Sequence, residues 1–297
     1  MRRYDTGFDR VFVVLIYIAV GLLAAVTIYP FWQQVVISIS PESEALRTGL
    51  HLYTLHPDFT AYDRVLKSSE VWNGLAHTLE RVGIGTVITL VVTALTAYPL
   101  SKKKLPFNRT VTFLILFTMI FDAGLIPNYL LIKELGLIDK VWALTLPHVF
   151  IGYYIVITRN FYRTSIPDSI EESAKIDGAS DFMVWFRFYL PLSVPVLATV
   201  TIWEAVYHWN EYFNAMIYVT DRSRFVLQVI LRRILVENQL DEFTQSIASL
   251  MRIGLIKPTD ESMKAAILVC STLPILLVYP LLQKYFVKGI TLGAVKE

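Results

Sequence analysis

Long apolar runs are the feature that most constrains how this chain can fold. Six runs of 18 or more mainly apolar residues lie at 11–28, 82–100, 111–132, 141–158, 190–219 and 265–282. An apolar helix of about 20 residues is long enough to cross the hydrocarbon core of a bilayer. Only helices and closed barrels satisfy the backbone in lipid, and these runs are too long for barrel strands. The sequence therefore predicts an all-α polytopic membrane protein with six transmembrane helices.

Composition supports this class. The chain is 55% hydrophobic and only 18% charged, whereas soluble proteins carry about 25% charged residues. The single cysteine, Cys270, excludes a disulfide framework or a cysteine metal site. The first apolar run lacks a small-residue cleavage site, and the aromatic stretch 29–32 is expected to end it at the membrane interface, so we interpret it as a retained helix.

The distribution of basic residues predicts an orientation. Seven basic residues lie in the N-terminal tail and in the loop at 101–109, whereas the loop between the third and fourth runs holds only Lys133 and Lys140. Positive loops face the cytoplasm. Both termini are thus expected inside, and the polar segment that follows the fourth run is expected on the same side.

That polar segment carries helix-boundary signals. Ser169 and Glu172 have the S-x-x-E spacing of a capping box. Gly178 is expected to end the first helix in a left-handed conformation. Ser180 is expected to cap a second helix, which Pro191 would end. A short, bent, water-facing helix pair of this kind predicts a docking surface.

The same residues resemble the EAA loop of bacterial ABC-importer permeases, whose pattern is Glu-Ala-Ala, three residues, Gly, nine residues, Ile-x-Leu-Pro. The matching positions are Glu172, Ser173, Ala174, Gly178, Phe188, Leu190 and Pro191. Ser173 and Phe188 depart mildly from the pattern, because one stays small and the other apolar. Asp177-Gly178-Ala179, Pro195 and the segment 209–218 are similar to the maltose-type carbohydrate-uptake branch, and the whole chain most resembles its oligosaccharide permeases.

The resemblance implies a type I ABC-importer permease subunit of the bacterial plasma membrane. It would move a sugar or oligosaccharide with energy from separate subunits. The implied partners are a second permease subunit in a heterodimer, two ATPase subunits and an extracytoplasmic solute-binding protein; nucleic acid is not expected. No cofactor is expected on this chain, with ATP and Mg on the ATPase subunits. The sequence has no G-x-x-x-x-G-K-[ST] motif and no defensible triad, so no catalytic residue is assigned.

The implied organisation has three parts. A peripheral helix with an extracytoplasmic segment covers 1–74, a core transport domain 75–286, and a cytoplasmic tail 287–297, with the coupling loop at 164–195. Segments 40–77 and 220–262 are expected outside. The second holds apolar residues at helical spacing (226, 227, 230, 231 and 234), which predicts an amphipathic surface helix.

The coupling loop supplies the first set of predicted site residues. The residues expected to contact the ATPase are Glu172, Ala174, Asp177, Gly178, Phe182, Trp185, Phe186 and Pro191. Glu172 would reach basic residues of the partner, and Gly178 would allow the bend. Phe182, Trp185 and Phe186 would bury in the ATPase groove as anchors.

The fifth run supplies the second set, because it is unusually polar. Seven of its polar and aromatic residues fall on one sector of a helix: Trp203, Glu204, Tyr207, His208, Asn210, Glu211 and Asn214. Ionisable residues in a membrane normally face a bundle interior or a watery cavity. The predicted substrate-pathway residues are Asp122, Glu204, Tyr207, Asn210, Glu211 and Asn214. The alternative is that these side chains join helices or lie near the wet outer surface.

Other interpretations of the polar residues remain open. Glu204, His208 and Glu211 have the spacing of metal ligands, but the other spans offer only Asp122 and His148 and no second Glu-x-x-His, so no metal site is expected. Asp122 either caps a helix end or contacts substrate, and His148 is expected to be a packing residue.

Arginines 222, 224, 232 and 233 form an outward patch that is either a solvated helix face or a docking site. Two functional alternatives are an ion-coupled secondary transporter using Asp122, Glu204 and Glu211, and a membrane hydrolase using His208 and Glu211.

Overall fold

A computed structural model describes residues 7–236 and 260–294, and every regular element in these ranges is helical. The α-helices are α1 (Gly7–Ser38), α2 (Glu42–Ala45), α3 (Thr60–Lys67), α4 (Ser69–Ser101), α5 (Asn108–Ile120), α6 (Leu125–Glu134), α7 (Val141–Thr145), α8 (Gly152–Ser165), α9 (Asp168–Ile176), α10 (Asp181–Val184), α11 (Leu190–Leu192), α12 (Val194–Asn210), α13 (Phe213–Tyr218), α14 (Leu227–Leu235) and α15 (Asp260–Ala294). The remaining elements are two 3-10 turns, Leu146–His148 and Arg222–Arg224, and a π turn, Trp185–Tyr189.

The described residues form two compact units. The first comprises the described parts of Met1–Ser68 and Leu231–Leu273, and the second comprises Ser69–Ile230 with the described part of Pro274–Glu297. The predicted division into a peripheral segment, a core domain and a tail is a different partition, based on family resemblance, and stays a prediction.

In the first unit, α1 is longer than predicted. Its apolar side chains from Val11 to Ile28 are exposed except for the partly buried Val13, as a lipid-facing helix requires. The predicted end at 29–32 is wrong, because the helix continues through Pro30 to Ser38. Proline removes only one helical hydrogen bond, and a long apolar helix can tolerate this. Trp32 instead fixes the following loop by donating its Nε1–H to the Leu52 carbonyl at 2.9 Å.

The second unit is built around α4, against which α8 and α12 pack. This helix starts well before the predicted run at 82. Buried small residues, among them Thr89, Thr93, Ala94 and Ala97, let its neighbours approach closely. Helix packing, rather than hydropathy alone, therefore sets its length.

Three of the predicted spans are bent rather than continuous. The α5–α6 pair bends by 108°, the α7–α8 segment by 53°, and α10–α11 meets α12 at 76°. In the described residues, two helices are long and apolar enough to cross a membrane, and up to five spans result if each bent pair counts as one. The sixth predicted run, 265–282, lies in α15 and extends beyond the described side chains. The count of six stays a prediction.

The predicted amphipathic surface helix is confirmed in part as α14. Val226, Leu227, Ile230 and Ile234 are at most 2% exposed, and the intervening positions include two arginines. The Leu227 N–H also donates to the Thr78 hydroxyl at 2.9 Å. The rest of the predicted outer segment, 237–259, lies outside the described residues.

Candidate functional site

The segment with the helix-boundary signals forms a hairpin of two helical arms. Its first arm, α9, is followed by Gly178, whose φ is +79°. The Ala179 N–H donates to the Ala174 carbonyl at 2.9 Å, and the Gly178 N–H donates to the Lys175 carbonyl at 3.1 Å. This bond pair is the Schellman termination, so the predicted left-handed glycine is confirmed.

The predicted capping box at the start of α9 is wrong. Pro167 is the N-cap residue and no side chain caps the helix. Because the helix begins directly after this proline, Ser169 lies inside the first turn and not at the cap. Asp168 and Glu171 stand in that turn, where negative charge is favourable.

The second arm consists of α10, the π turn and α11. The Ser180 hydroxyl accepts a hydrogen bond from the Met183 N–H at 3.3 Å, which confirms the predicted cap. The prediction that Pro191 ends this helix is wrong, because the helix continues to Leu192 and the break falls at Ser193. The wider π turn ends at Tyr189, two residues before Pro191, and changes the hydrogen-bond register where the proline lacks a donor.

An exposed apolar patch covers the tip of the hairpin. We define it as Ile176, Phe182, Met183 and Phe186, which are 86%, 66%, 48% and 60% exposed. The rings of Phe182 and Phe186 are stacked, with centroids 6.3 Å apart. Solvent-exposed aromatic clusters of this kind are typical of interaction sites.

The other predicted coupling residues lie in different surroundings. Glu172, Asp177 and Pro191 are exposed on the hairpin, as a docking role requires. Ala174 is buried and packs in the hairpin core. Trp185, predicted to enter a partner's groove, is only 7% exposed and packs in this chain's own core.

A charge network ties the hairpin to the loop after α4. Lys102 pairs with Glu171, and its ammonium lies about 4 Å above the rings of Tyr98 and Tyr189. Lys175 lies 2.8 Å from the Glu171 carboxylate. Burial alone would raise the pKa of Glu171, but hydrogen bonds from the two lysines hold the pKa below its usual value. The hairpin is thus held by a charged carboxylate.

Two arginines of α8 hold the same loop from the other side. Arg159 Nε donates to the Leu100 carbonyl at 2.9 Å, and Arg163 Nε donates to the Ser101 carbonyl at 3.0 Å. Cations at a helix C-terminus satisfy its free carbonyls and its dipole. This connection was not predicted from the sequence, since the arginines lie about 60 residues from the carbonyls that they bind.

A cleft of about 710 Å³ separates the hairpin from this loop. Side chains of both positive and negative charge line this cleft, among them Lys102, Lys103, Arg163, Asp168, Glu171 and Lys175. The Lys102–Glu171 pair joins the two segments beside this cleft.

The polar residues of the fifth run do not lie on one continuous helix. The run is broken at Ser193 and again at Glu211, whose backbone is extended. Glu204 and His208 are buried, Tyr207, Glu211 and Asn214 are partly buried, and Asn210 is exposed. The single continuous polar face predicted for this run is therefore wrong, because Glu211 lies in the turn after α12 and Asn214 lies in α13.

Glu204 is the centre of a buried cluster in the middle of α12. Its Oε1 lies 3.2 Å from His148 Nδ1, 3.0 Å from His208 Nε2 and 3.0 Å from the Thr89 hydroxyl, which donates to it. The hydroxyl of Tyr154 also approaches this carboxylate. The structure thus brings His148, predicted as a packing residue, into contact with a predicted pathway residue.

Glu211 belongs to a second buried contact. Its carboxylate lies 2.5 Å from the Arg81 guanidinium, which also donates to the Glu211 carbonyl at 2.6 Å. The other carboxylate oxygen accepts the Asn214 N–H at 2.7 Å and so caps α13. Arg81 was not predicted as a site residue, although its position beside an apolar run was the available signal.

Asp122 lies apart from these contacts, at the break between α5 and α6. Its Oδ1 accepts the Gly124 N–H at 2.6 Å, and the residue is exposed. This geometry corresponds to the capping interpretation.

Part of the predicted arginine patch forms hydrogen bonds within this chain. Arg224 donates to the Asp139 carbonyl at 2.6 Å, and the Asp139 carboxylate accepts the N–H of Thr220 and of Asp221. The hydrogen bonds to Asp221 and Thr220 lower the pKa of Asp139 despite slight burial. Part of the patch therefore stabilises a turn.

The fold and these sites define a helical membrane protein with a projecting, capped hairpin. Residues 87–292 match the family model described as the binding-protein-dependent transport system inner membrane component. The chain belongs to this family, the permease subunits of ABC importers.

Relatives match over nearly the full length of the chain. The Bacillus subtilis polygalacturonan/rhamnogalacturonan transport system permease protein YtcP is 36% identical over 288 residues, covering 97% of this chain and 99% of its own. Protein LplC of the same organism is 36% identical over 293 residues, with coverage of 99% and 97%.

A solved structure agrees in fold. It is a chain from a bacterial ABC transporter involved in the import of the acidic polysaccharide alginate. It superposes with a TM-score of 0.88 at 32% identity, and the match covers 96% of this chain and 100% of that one. These similarities favour an ABC importer over an ion-coupled carrier.

Proposed function

We propose that this chain is one of two permease subunits in an ATP-driven importer that carries a saccharide across the bacterial inner membrane. The observation that carries the proposal is the full-length similarity to a named oligosaccharide permease, at 36% identity over 97% of the chain. The family description supports an extracytoplasmic binding protein as a partner, and the relatives' names support a saccharide as the substrate.

The substrate class that these names favour is an acidic oligosaccharide. The names of YtcP and of the alginate importer both refer to uronate-containing polysaccharides. Within this chain, Tyr207, Asn210, Glu211 and Asn214 are the proposed pathway residues, with Asp122 and Glu204 as further members. The partly exposed hydroxyl and amide groups among them suit a hydroxyl-rich ligand.

The hairpin is the proposed contact to the ATPase subunits. Its exposed apolar patch supplies anchors, and Glu172 and Asp177 supply charge beside them. ATP and Mg would be bound by those subunits, since the chain has no phosphate-binding P-loop sequence. The Lys102–Glu171 contact would then transmit ATPase closure to α4.

The proposed orientation has both termini in the cytoplasm, with the hairpin on the same side. It rests on the basic residues of the N-terminal tail and of the loop at 101–109. The proposed core transport domain runs over 75–286, and the family match at 87–292 supports it.

Uptake of a labelled oligouronate by cells that express the whole importer tests the proposal. Gly178→Asp is expected to abolish uptake while membrane insertion stays normal, because it disturbs the hairpin turn. Gly136→Asp is the matched control, since Gly136 also has a positive φ, of +64°, but lies in another turn.

Glu172→Lys is expected to abolish uptake as well, and ATP depletion is expected to stop uptake in the wild type. Normal transport in both hairpin variants would refute the coupling role. Uptake that survives ATP depletion but stops with an uncoupler would instead support the ion-coupled carrier.

A further inference from the structure

Three side chains of metal-ligand type meet inside the second unit. We propose that His148, Glu204 and His208 form a binding site for a divalent transition-metal ion of the zinc class. Their nearest ligand atoms all lie within 4.8 Å of one another. This inference does not depend on the saccharide or on the ATPase partner.

The spacing of the ligand atoms suits a small coordination sphere. With zinc bonds of about 2.0–2.2 Å to histidine and carboxylate, the ligand atoms of a tetrahedral site stand about 3.3–3.5 Å apart. The two distances to Glu204 Oε1 are 3.2 Å from His148 Nδ1 and 3.0 Å from His208 Nε2. A small approach of the ligand nitrogens of His148 and His208 toward each other would complete the coordination sphere.

Two independent segments position these ligands. Glu204 and His208 stand one turn apart on α12, at i and i+4, and so share one helix face. His148 ends the 3-10 turn before the 53° bend into α8. A metal ion would therefore join the broken α7–α8 segment to α12.

The hydrogen bonding of the cluster is incomplete without a further partner. Glu204 is 0% exposed and His208 is 1% exposed. Glu204 Oε2 and both ring nitrogens of His208 make no hydrogen bond of acceptable geometry. His208 Nε2 is only 3.0 Å from Glu204 Oε1, yet it does not act as a donor to it. Two ligand atoms placed side by side in this way suit two corners of a coordination sphere.

Neighbouring residues position two of the three ligands, Glu204 and His148. The Thr89 hydroxyl donates to Glu204 at 3.0 Å, and Tyr207 stacks on the His148 ring with centroids 3.5 Å apart. Outer contacts orient the side chains that bind a metal ion. Gly85 leaves the space that the His208 imidazole occupies, since any Cβ there would overlap the ring.

The charge and chemistry of the site select the class of ion. Arg81, a nearby buried cation, is paired with Glu211, and Glu204 contacts two histidines and Thr89 rather than a lysine or an arginine. Two imidazoles and one carboxylate are the ligand set of many zinc sites, with a fourth position left for water. Ca²⁺ and Mg²⁺ prefer oxygen ligands and are therefore disfavoured.

The test uses the full-length chain in detergent, stripped of metal with a chelator, incubated with Zn²⁺ and then dialysed to remove unbound ion. We expect one bound Zn²⁺ per chain by elemental analysis, and tetrahedral visible absorption bands when Co²⁺ replaces it. An excess of Mg²⁺ is expected not to displace either ion. His148→Gln and His208→Gln are each expected to weaken binding by at least about tenfold.

His77→Gln is the matched control, because His77 lies on α4 outside the cluster and its side chain is 36% exposed. It is expected to bind as the wild type does. Absence of stoichiometric Zn²⁺ in the wild type, or unchanged binding in His148→Gln, would overturn the proposal. Loss of binding in His77→Gln alone would also overturn it, since the ion would then lie elsewhere. If a variant does not fold, the wild-type stoichiometry and Co²⁺ spectrum decide.

Discussion

Arg81 and Glu211 stand 130 residues apart in the chain and form a buried ion pair with a nitrogen–oxygen distance of 2.5 Å. Their side chains are 1% and 12% exposed. Because Glu211 also caps α13, this pair fixes the end of α12, the middle of α4 and the start of α13 together.

Loss of one member of this pair is predicted to be costly. Arg81→Met leaves the Glu211 carboxylate buried without its cation, and breaking a buried pair costs about 3–5 kcal/mol. Unfolding of the purified chain in detergent measures the change. Arg81→Met/Glu211→Gln is expected to recover part of the loss. A single variant as stable as the wild type would contradict the prediction, and Arg64→Met on the short helix α3 is the control.

Two glycines on α4, two residues apart, are predicted to respond oppositely to alanine. Gly83 faces open space, and Gly85 faces the His208 ring. Gly83→Ala is expected to stabilise the helix by up to about 1 kcal/mol, whereas Gly85→Ala is expected to destabilise by about 1–3 kcal/mol through overpacking. Thermal unfolding of both variants provides the comparison, and equal midpoints would show that α12 does not approach α4 here.

Exposed and buried aromatic residues of the hairpin are predicted to differ in their effects on docking and on stability. Phe182→Ala is expected to leave stability within about 0.5 kcal/mol of wild type but to weaken ATPase docking by about 2 kcal/mol. Trp185→Ala is expected to cost about 3–5 kcal/mol of stability, because it leaves a cavity. Unfolding midpoints and ATPase pull-down affinities measure the two effects. Tight docking by Phe182→Ala would refute its anchor role.

Acid is predicted to loosen the hairpin through Glu171. Its pKa is lowered in the folded chain by Lys102 and Lys175 against the opposing effect of burial. A carboxylate with a lowered folded-state pKa stabilises the fold above its unfolded value of about 4.5, and this stability is lost as the pH falls below it. Hydrogen exchange of α9 from pH 6 to pH 3 measures the effect.

Glu171→Gln is expected to flatten this pH dependence, whereas Glu172→Gln, on the exposed side of α9, is expected to retain it. The same profile in wild type and Glu171→Gln would assign the acid sensitivity to another group.

Local signals in the sequence predicted local structure well. Gly178 and Ser180 act within five residues of their partners, so their roles follow from backbone sterics and hydrogen bonding alone. The same approach was wrong at Ser169 and at Pro191. Near Ser169 the helix begins directly after a proline, and near Pro191 a π turn precedes the helix end. At both places several boundary signals of similar strength lie within a few residues.

The sequence by itself determined the membrane class, the apolar runs, the family and the hairpin turn. The class, the runs and the turn depend on composition and short-range spacing, and the family depends on the resemblance of the hairpin to a known motif. Only the tertiary structure decided that His148 meets Glu204 across 56 residues, that Arg81 pairs with Glu211, and that Trp185 faces inward. Such contacts depend on how bent helices pack, because a residue's exposure and partners are set by the elements beside it and not by its neighbours in the chain.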